Sequence, residues 1–407
     1  MLTLLCLVFG ENADFPANRS ELYKEGLDIL LKKWDAKRNI ERDQVYRNLS
    51  RHRKEDLLSQ IALATFERKE YFFKQRNIEV YISDFIYNLH DARTEPQELE
   101  LDSEVVLKSI ESQHGLLIER AKGIYSFSHL TFQEYFTARE IVASSTSENL
   151  VEHITETRWR EVFLLTVGMM QKADDLVQLM KQKIDDLIAS DKKLQQFLIW
   201  LNQKSLSVEL PYKLAAVRAF YFDYDLMGDF NGVYLTLPYA LESRLADDDD
   251  LILNFEYNKI EELREIALDH NLVTSLNLAF EFKYVDQVEG FIYSALYCLH
   301  DCNFKRLLQM LYEQLPEVDE YEVGKSKWNH QAWSKQLRSL MIEHRNIGHD
   351  WQFNHSQKEL LRWYYDANLL LVDCLNSDCY ISREIRQEIE DTLLLPMNEL
   401  KSKSFLD

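Results

Sequence analysis

Apolar residues recur at intervals of three and four along most of this chain, the spacing that gathers one face of an α-helix. Leu22, Gly26, Ile29, Leu30, Lys33 and Trp34 follow Asn18-Arg-Ser-Glu21, which has the form of a capping box. Leu57, Leu58, Ile61, Ala62 and Phe66 predict a second helix, and Ile78, Tyr81, Ile82, Phe85, Ile86 and Leu89 a third. Pro96 breaks the chain before a short helix carrying Val105, Val106, Leu107 and Ile110. From Trp159 onward the helical spacing returns: Trp159–Val167, Leu176–Leu187, Leu194–Leu201, Leu214–Phe220, Ile260–His270 and Asp286–Leu299, with Pro211 expected in the first turn of the fourth. Tyr221–Leu226 alternates in period two, but among so many helices we assign it to helix.

One stretch departs from this pattern. Leu116–Arg120, a turn at Ala121-Lys122-Gly123, and Ile124–Phe127 read as a β-hairpin. Helices followed by one hairpin describe a winged helix. Thr131 and Glu134 then form a second capping box ahead of Phe132-Gln-Glu-Tyr-Phe136.

Composition narrows the fold class to mainly α. The 407 residues include 10 Gly and 6 Pro, against average usage of about 7% and about 5%. A β-sandwich or barrel needs more turn residues, and a nucleotide-cradling α/β fold needs glycine loops. The net charge of −21 is uneven: residues 1–90 hold 15 Lys/Arg against 14 Asp/Glu, and the other 317 hold 32 against 54. So acidic a surface repels phosphate backbones, which argues against nucleic acid as a partner. The Asp247–Asp250 run reads as a solvated turn. No apolar run approaches the roughly 18 residues of a membrane span, and five cysteines fit free thiols in a reducing, cytoplasmic setting. The bare apolar opening, Met1–Phe9, reads as a helix cut into rather than a signal peptide.

The run Tyr125-Ser-Phe-Ser-His-Leu-Thr-Phe-Gln-Glu-Tyr-Phe-Thr-Ala-Arg139 resembles the winged-helix signature of NACHT-type STAND ATPases, signalling switches related to NOD-like receptors with many bacterial members. Leu2–Phe9 is similar to the helix that follows the adenine-contacting element of that family, although the proline of that element would precede Met1. The resemblance implies a helical lid subdomain over residues 1–75, truncated at its start, and a winged helix over 76–145. It also implies that His129 contacts the β-phosphate of ADP and holds the switch closed; a histidine that only satisfies a helix end is the competing reading. A winged helix can also bind DNA, but the resemblance implies intramolecular packing instead.

The nucleotide engine has no counterpart in this sequence. A P-loop reads Gly-x-x-x-x-Gly-Lys-Ser/Thr; the one Gly-Lys-Ser, Gly324–Ser326, has Asp319 at the first glycine's place and follows the acidic stretch Glu317–Glu322. No apolar strand ending in paired acids occurs either. The expectation is therefore no catalysis and no cofactor for this chain, with ADP or ATP and Mg implied for the full-length family.

Four of seven tryptophans and four of five cysteines lie beyond residue 290. His349–Phe353, Trp363–Leu375 and Ile389–Pro396 resemble the terminal helical Cys/His-containing domain of many bacterial NACHT proteins. This assigns 146–295 to a helical middle domain and 296–407 to that terminal domain. Cys298, His300, Cys302, His344, His349, His355, Cys374 and Cys379 are potential zinc ligands, but their spacings are irregular, and Cys298 and Cys302 fall four apart on one expected helix. Core packing is the expectation. A Cys–His nucleophile lacks a glycine-rich oxyanion loop.

The function implied is the regulatory and sensor half of a NACHT signalling ATPase, in bacterial defence against phage. Its partners would be an upstream ATPase core, a trigger protein or ligand, and further copies when activated. The alternative is a stand-alone helical adaptor that binds protein without nucleotide chemistry. The first expects a P-loop in frame upstream of Met1, the second a stop codon.

Overall fold

The structure, a computed structural model, describes residues 9–10, 19–37, 50–89, 96–225, 236–242, 260–280, 285–315 and 329–403. Four expectations fall outside these: the Met1–Phe9 helix apart from Phe9, the Asn18 cap, the Asp247–Asp250 turn and the Gly324–Ser326 tripeptide. The described chain is mainly α-helical with one small antiparallel sheet, and it divides into two compact units.

The first unit comprises residues 1–183 and 373–383. Its elements are α1 (Arg19–Lys37), α2 (Arg51–Glu67), β1 (Phe73–Lys74), α3 (Gln75–Tyr87), α4 (Pro96–His114), β2 (Leu117–Ala121), β3 (Ile124–Phe127), α5 (Leu130–Ser144), α6 (Ser147–Val151), α7 (Arg160–Met169) and the start of α8 (Asp174–Asp186). The expected stripes are buried: Leu57, Leu58, Ile61, Ala62 and Phe66 on α2, and Ile78, Ile82, Phe85 and Ile86 on α3. On α1 the buried edge runs through Tyr23, Gly26 and Leu27, with Leu22 only half-buried.

The hairpin forms as read, with Gly123 at φ +70° in its turn, a conformation open to glycine at no steric cost. The sheet has a third strand that hydrophobic alternation did not reveal. Phe73 pairs with Tyr125 and Lys74 with Ile124, so the order is β1-β3-β2. Two residues are too few to show a period of two. Behind the sheet, Phe127 lies 6.3 Å from Phe136 of α5, and Phe66 meets Trp159 edge-on at 4.8 Å. Arg158 lies over the Phe66 ring, donates to the Phe66 carbonyl at 2.7 Å and pairs with Glu156 at 3.0 Å.

Residues 373–383 belong to this unit through specific bonds. Asp373 accepts from Arg160 at 2.6 Å, the Tyr380 carbonyl accepts from the Ala173 N–H at 3.0 Å, and Ser382 donates its backbone N–H and hydroxyl to Asp174 at 2.8 and 2.7 Å.

The second unit comprises residues 184–372 and 384–407. It contains α9 (Lys192–Leu206), α10 (Leu214–Asp225), α11 (Thr236–Leu241), α12 (Ile260–Phe280), α13 (Val285–Cys298), α14 (Cys302–Tyr312), α15 (His330–Arg345), most of α16 (His355–Asn376), nearly all of α17 (Arg383–Thr392), and α18 (Met397–Lys403). Tyr221–Asp225 is helical, as assigned. Pro211 lies three residues before α10 rather than in its first turn. An aromatic cluster forms its core: Phe197 stands 5.3 Å from Phe222, 5.3 Å from Trp351 and 5.8 Å from Phe353. Buried Arg218 donates to the carbonyls of Leu393 and Asp391 at 2.8 and 2.9 Å, satisfying acceptors at the end of α17.

Candidate functional site

His129 sits where β3 hands over to α5. The chain enters this junction under restraint, because the Ser128 N–H donates to the Leu116 carbonyl at 2.8 Å. Arg120 reinforces it, giving Nε to Ser126 Oγ at 2.9 Å and Nη2 to the Ser128 carbonyl at 3.0 Å. Arg120 can do so because β2 is irregular there: Glu119 pairs with Tyr125 and Ala121 with Ile124, leaving Arg120 as the extra residue of a bulge.

His129 itself is the N-cap of α5, with extended backbone at φ −141° and ψ 142°. Its Nδ1 accepts the Thr131 N–H at 3.2 Å and contacts Thr131 Oγ1 at 2.6 Å. The cap expected at Thr131 is therefore two residues too late. Thr131 lies inside the helix and donates to the true cap, an imidazole nitrogen taking the place of the usual side-chain oxygen. A ring whose Nδ1 accepts a backbone N–H carries its neutral-form proton on Nε2. That nitrogen has no partner among the described residues, and the ring is exposed.

The rest of the motif is occupied in packing. Tyr135 and Phe136 are buried and meet edge-on at 5.5 Å. Buried Gln133 donates to Thr65 Oγ1 at 2.9 Å and the Glu70 carbonyl at 3.1 Å, while Arg139 reaches Asp56 and Ser59, both at 3.0 Å. These bonds lock α5 against α2. Glu134, half-buried on the same helix, has its carboxyl pushed up to about 7 by desolvation and then by neighbouring Glu161. Arg120 carries no signal in the sequence, because its role depends on a bulge, and Glu134, read there only as part of a capping box, owes its raised carboxyl partly to Glu161, 27 positions away.

The Cys and His candidates occupy varied settings. Cys298 is buried at the last turn of α13, and Cys302 is exposed at the start of α14, so the two are on different helices rather than one; Leu299–Asp301 intervenes and Asp301 caps α14. His300 and His355 are exposed, His344 stacks on Phe304 at 4.6 Å, and His349 Nε2 contacts Asn346 Oδ1 at 2.8 Å. Cys374 is fully buried, and Cys379 Sγ donates to its carbonyl at 3.3 Å. Burial raises the thiols of Cys298 and Cys374 above the ordinary range. Among the described residues no three His, Cys, Asp or Glu side chains gather as a metal site, and no helix is long and apolar enough to cross a membrane.

The β2–β3 hairpin packed among helices is the arrangement of a winged helix. Residues 19–141 match the family described as the winged helix-turn-helix domain C-terminal to NACHT, and residues 304–396 match NACHT C-terminal helical domain 2, together just over half of the chain. Both matches are to domains that lie C-terminal to NACHT, and they mark this chain as the C-terminal, regulatory portion of a NACHT protein. No curated protein and no solved structure matches it.

Proposed function

We propose that this chain is the regulatory and sensing side of a NACHT-type STAND signalling ATPase, acting in the cytoplasm in bacterial defence against phage. In this reading residues 1–75 form the lid subdomain, 76–145 the winged helix that couples nucleotide state to the rest, and 146–295 and 296–407 the sensing arm. An ATPase core supplies the P-loop chemistry with ADP or ATP and Mg, a trigger engages the arm, and activated copies associate. The chain itself performs no catalysis.

The observation that supports this reading is the His129 ring. Its Nδ1 is engaged by Thr131, which directs a donor at Nε2 away from the helix it caps. The N-terminus of α5 beside it favours negative charge. An exposed N–H donor at that position suits a phosphate oxygen, and the Arg120 brace on Ser128 would hold it there.

The experiment has two arms. Reading the gene upstream of Met1 should reveal Gly-x-x-x-x-Gly-Lys-Ser/Thr in frame; a stop codon there would favour the adaptor. In the protein carrying that core, His129→Ala should weaken ADP retention and raise basal signalling, whereas unchanged ADP affinity and basal output would remove the role given to His129. The adaptor reading has its own support in large apolar side chains exposed on the first unit, among them Phe72, Tyr87 and Leu101.

A further inference from the structure

Between α2 and α3 the chain turns two aromatic side chains outward. Tyr71 is 38% exposed and Phe72 67%, while Phe73, the next residue, is 3% exposed. Backbone bonds fix the turn that does this. Lys69 takes the left-handed conformation at φ 61°, and the N–H groups of Lys69 and Glu70 donate to the carbonyls of Phe66 and Thr65 at 3.0 and 2.9 Å. Buried Gln133 holds the Glu70 carbonyl at 3.1 Å. Phe72 is thereby kept in water and forgoes the burial that Phe73 obtains.

Cations flank the two rings. Residues 68–76 hold Arg68, Lys69, Lys74 and Arg76 against one acid, Glu70, in a chain of net charge −21. All four cations are exposed, and Lys74 and Arg76 have no partner among the described residues. Lys69 makes only a loose pair with Glu156 at 3.5 Å. The hairpin adds a fifth cation: the Gln75 N–H donates to the Gly123 carbonyl at 2.9 Å, which brings exposed Lys122 beside the start of α3. Acids on these elements are engaged elsewhere. Glu119 accepts the Gly123 N–H at 2.7 Å and pairs with Lys108 at 3.3 Å, and Glu79 accepts from Gln75 at 2.6 Å. Half-buried Ile124 stands opposite Lys74 and shares its face of the sheet, and half-buried Ile118, opposite Ser126, continues that face.

Shape and charge together select the partner. Phe72 projects from the surface, whereas small molecules are held in concave sites. A bilayer has no shape to match: it takes an aromatic ring at the boundary of headgroups and acyl chains and offers anionic groups to the cations around it. We infer that this face, Tyr71 and Phe72 flanked by Lys74, Arg76 and Lys122, docks on an anionic lipid surface, with Phe72 entering the acyl boundary. Such docking needs no membrane-spanning helix. The acidic remainder of the chain does not oppose it strongly, because charges more than about 8–10 Å from the lipid are screened at physiological salt.

Flotation of the whole chain with vesicles tests this, with phosphatidylcholine alone in one arm and phosphatidylcholine carrying about one-third phosphatidylserine in the other. Saturable binding to the second vesicle only is expected, weakening as salt rises. The double variant Lys74→Gln/Arg76→Gln should weaken it about tenfold or more. Phe72→Ser should weaken it several-fold at unchanged charge, and thermal melting checks that each variant is folded. An oligothymidylate strand is the third arm, since exposed aromatics and cations also suit stacked bases. Binding of that strand through Phe72, with none to either vesicle, would make the face a nucleic-acid platform and overturn the inference. No vesicle binding, equal binding to both vesicles, or equal affinity in wild type and the folded variants would overturn it as well.

Discussion

Lys204 Nζ lies 2.8 Å from Asp269 Oδ2, and both side chains are 2% exposed. Asp269 also accepts from Arg345 Nε at 2.7 Å and from the Tyr221 hydroxyl at 2.7 Å. Burial alone would push the Asp269 carboxyl up, but Lys204 and Arg345 outweigh it and hold it below the ordinary range; burial draws Lys204 down against the pull of the same carboxylate. Lys204 and Trp200 further donate to the carbonyls of Arg345 and Asn346, closing the C-terminus of α15.

Asp269→Asn should therefore be among the costly single changes in the second unit. It strands buried Lys204 and leaves Arg345 with Glu265 alone, a situation worth about 3–5 kcal/mol. Tyr221→Phe removes one hydrogen bond to a charged group and should cost about 1.5–3 kcal/mol. Denaturant unfolding of the two variants gives the comparison, and equal losses would mean that Tyr221, not the ion pair, dominates the cluster.

Glu134 should make the first unit sensitive to pH in a direction opposite to most carboxylates. Its folded value, about 7, lies above the ordinary 4.5, so the folded state holds the proton that the unfolded chain releases. Stability on this account is full below 4.5 and is lost as pH rises toward 7. Glu134→Gln should leave stability unchanged near pH 4 and raise it above pH 7 by about 1–2 kcal/mol, after discounting for partial exposure. Thermal melting across that range checks the sign.

Arg120→Ala should loosen the His129 junction without unfolding the domain. The side chain is exposed, and losing its bonds to Ser126 and Ser128 should cost about 1 kcal/mol. The His129 ring resonances should shift and broaden in the variant. Unaltered resonances would show that the Leu116 carbonyl alone holds the junction.

Thiol chemistry should sort the cysteines by burial. Among the described cysteines Cys302 is the exposed one and should react with an aromatic disulfide reagent ahead of Cys298, Cys374 and Cys379, and Cys302→Ser should remove one equivalent from the fast phase. Cys298 and Cys374, buried and with raised thiols, should stay protected until unfolding. Rapid labelling of Cys374 in the native protein would contradict its place in the core.

What could be read from the sequence was whatever depends on a local period. The α2 and α3 stripes and the hairpin follow from side-chain periodicity and turn chemistry within a dozen residues, whereas Tyr221–Asp225 is helical against its own period-two alternation, as its helical neighbours suggested. The misplaced features depend on distant partners or on unusual local chemistry. Phe73 and Lys74 become a strand only because β3, some fifty residues on, offers them an edge. Thr131 has the usual hydroxyl of a cap, and the imidazole of His129 displaced it. Asp269 looked like one more acidic residue of α12; its partners lie 48, 65 and 76 positions away. At the candidate site, the motif located His129 but gave no hint that Arg120 braces it.

The segment 373–383 gives this chain a topology that matters for genetics. Because these residues sit among the bonds of the first unit while the sequence on either side belongs to the second, the polypeptide passes between the units three times. The units are not beads that a single cut can separate. A nonsense mutation near residue 370 would delete the end of the second unit and also strip Arg160, Ala173 and Asp174 of their partners. A loss-of-function phenotype from such an allele would report damage to both units, and only point substitutions could assign it to one.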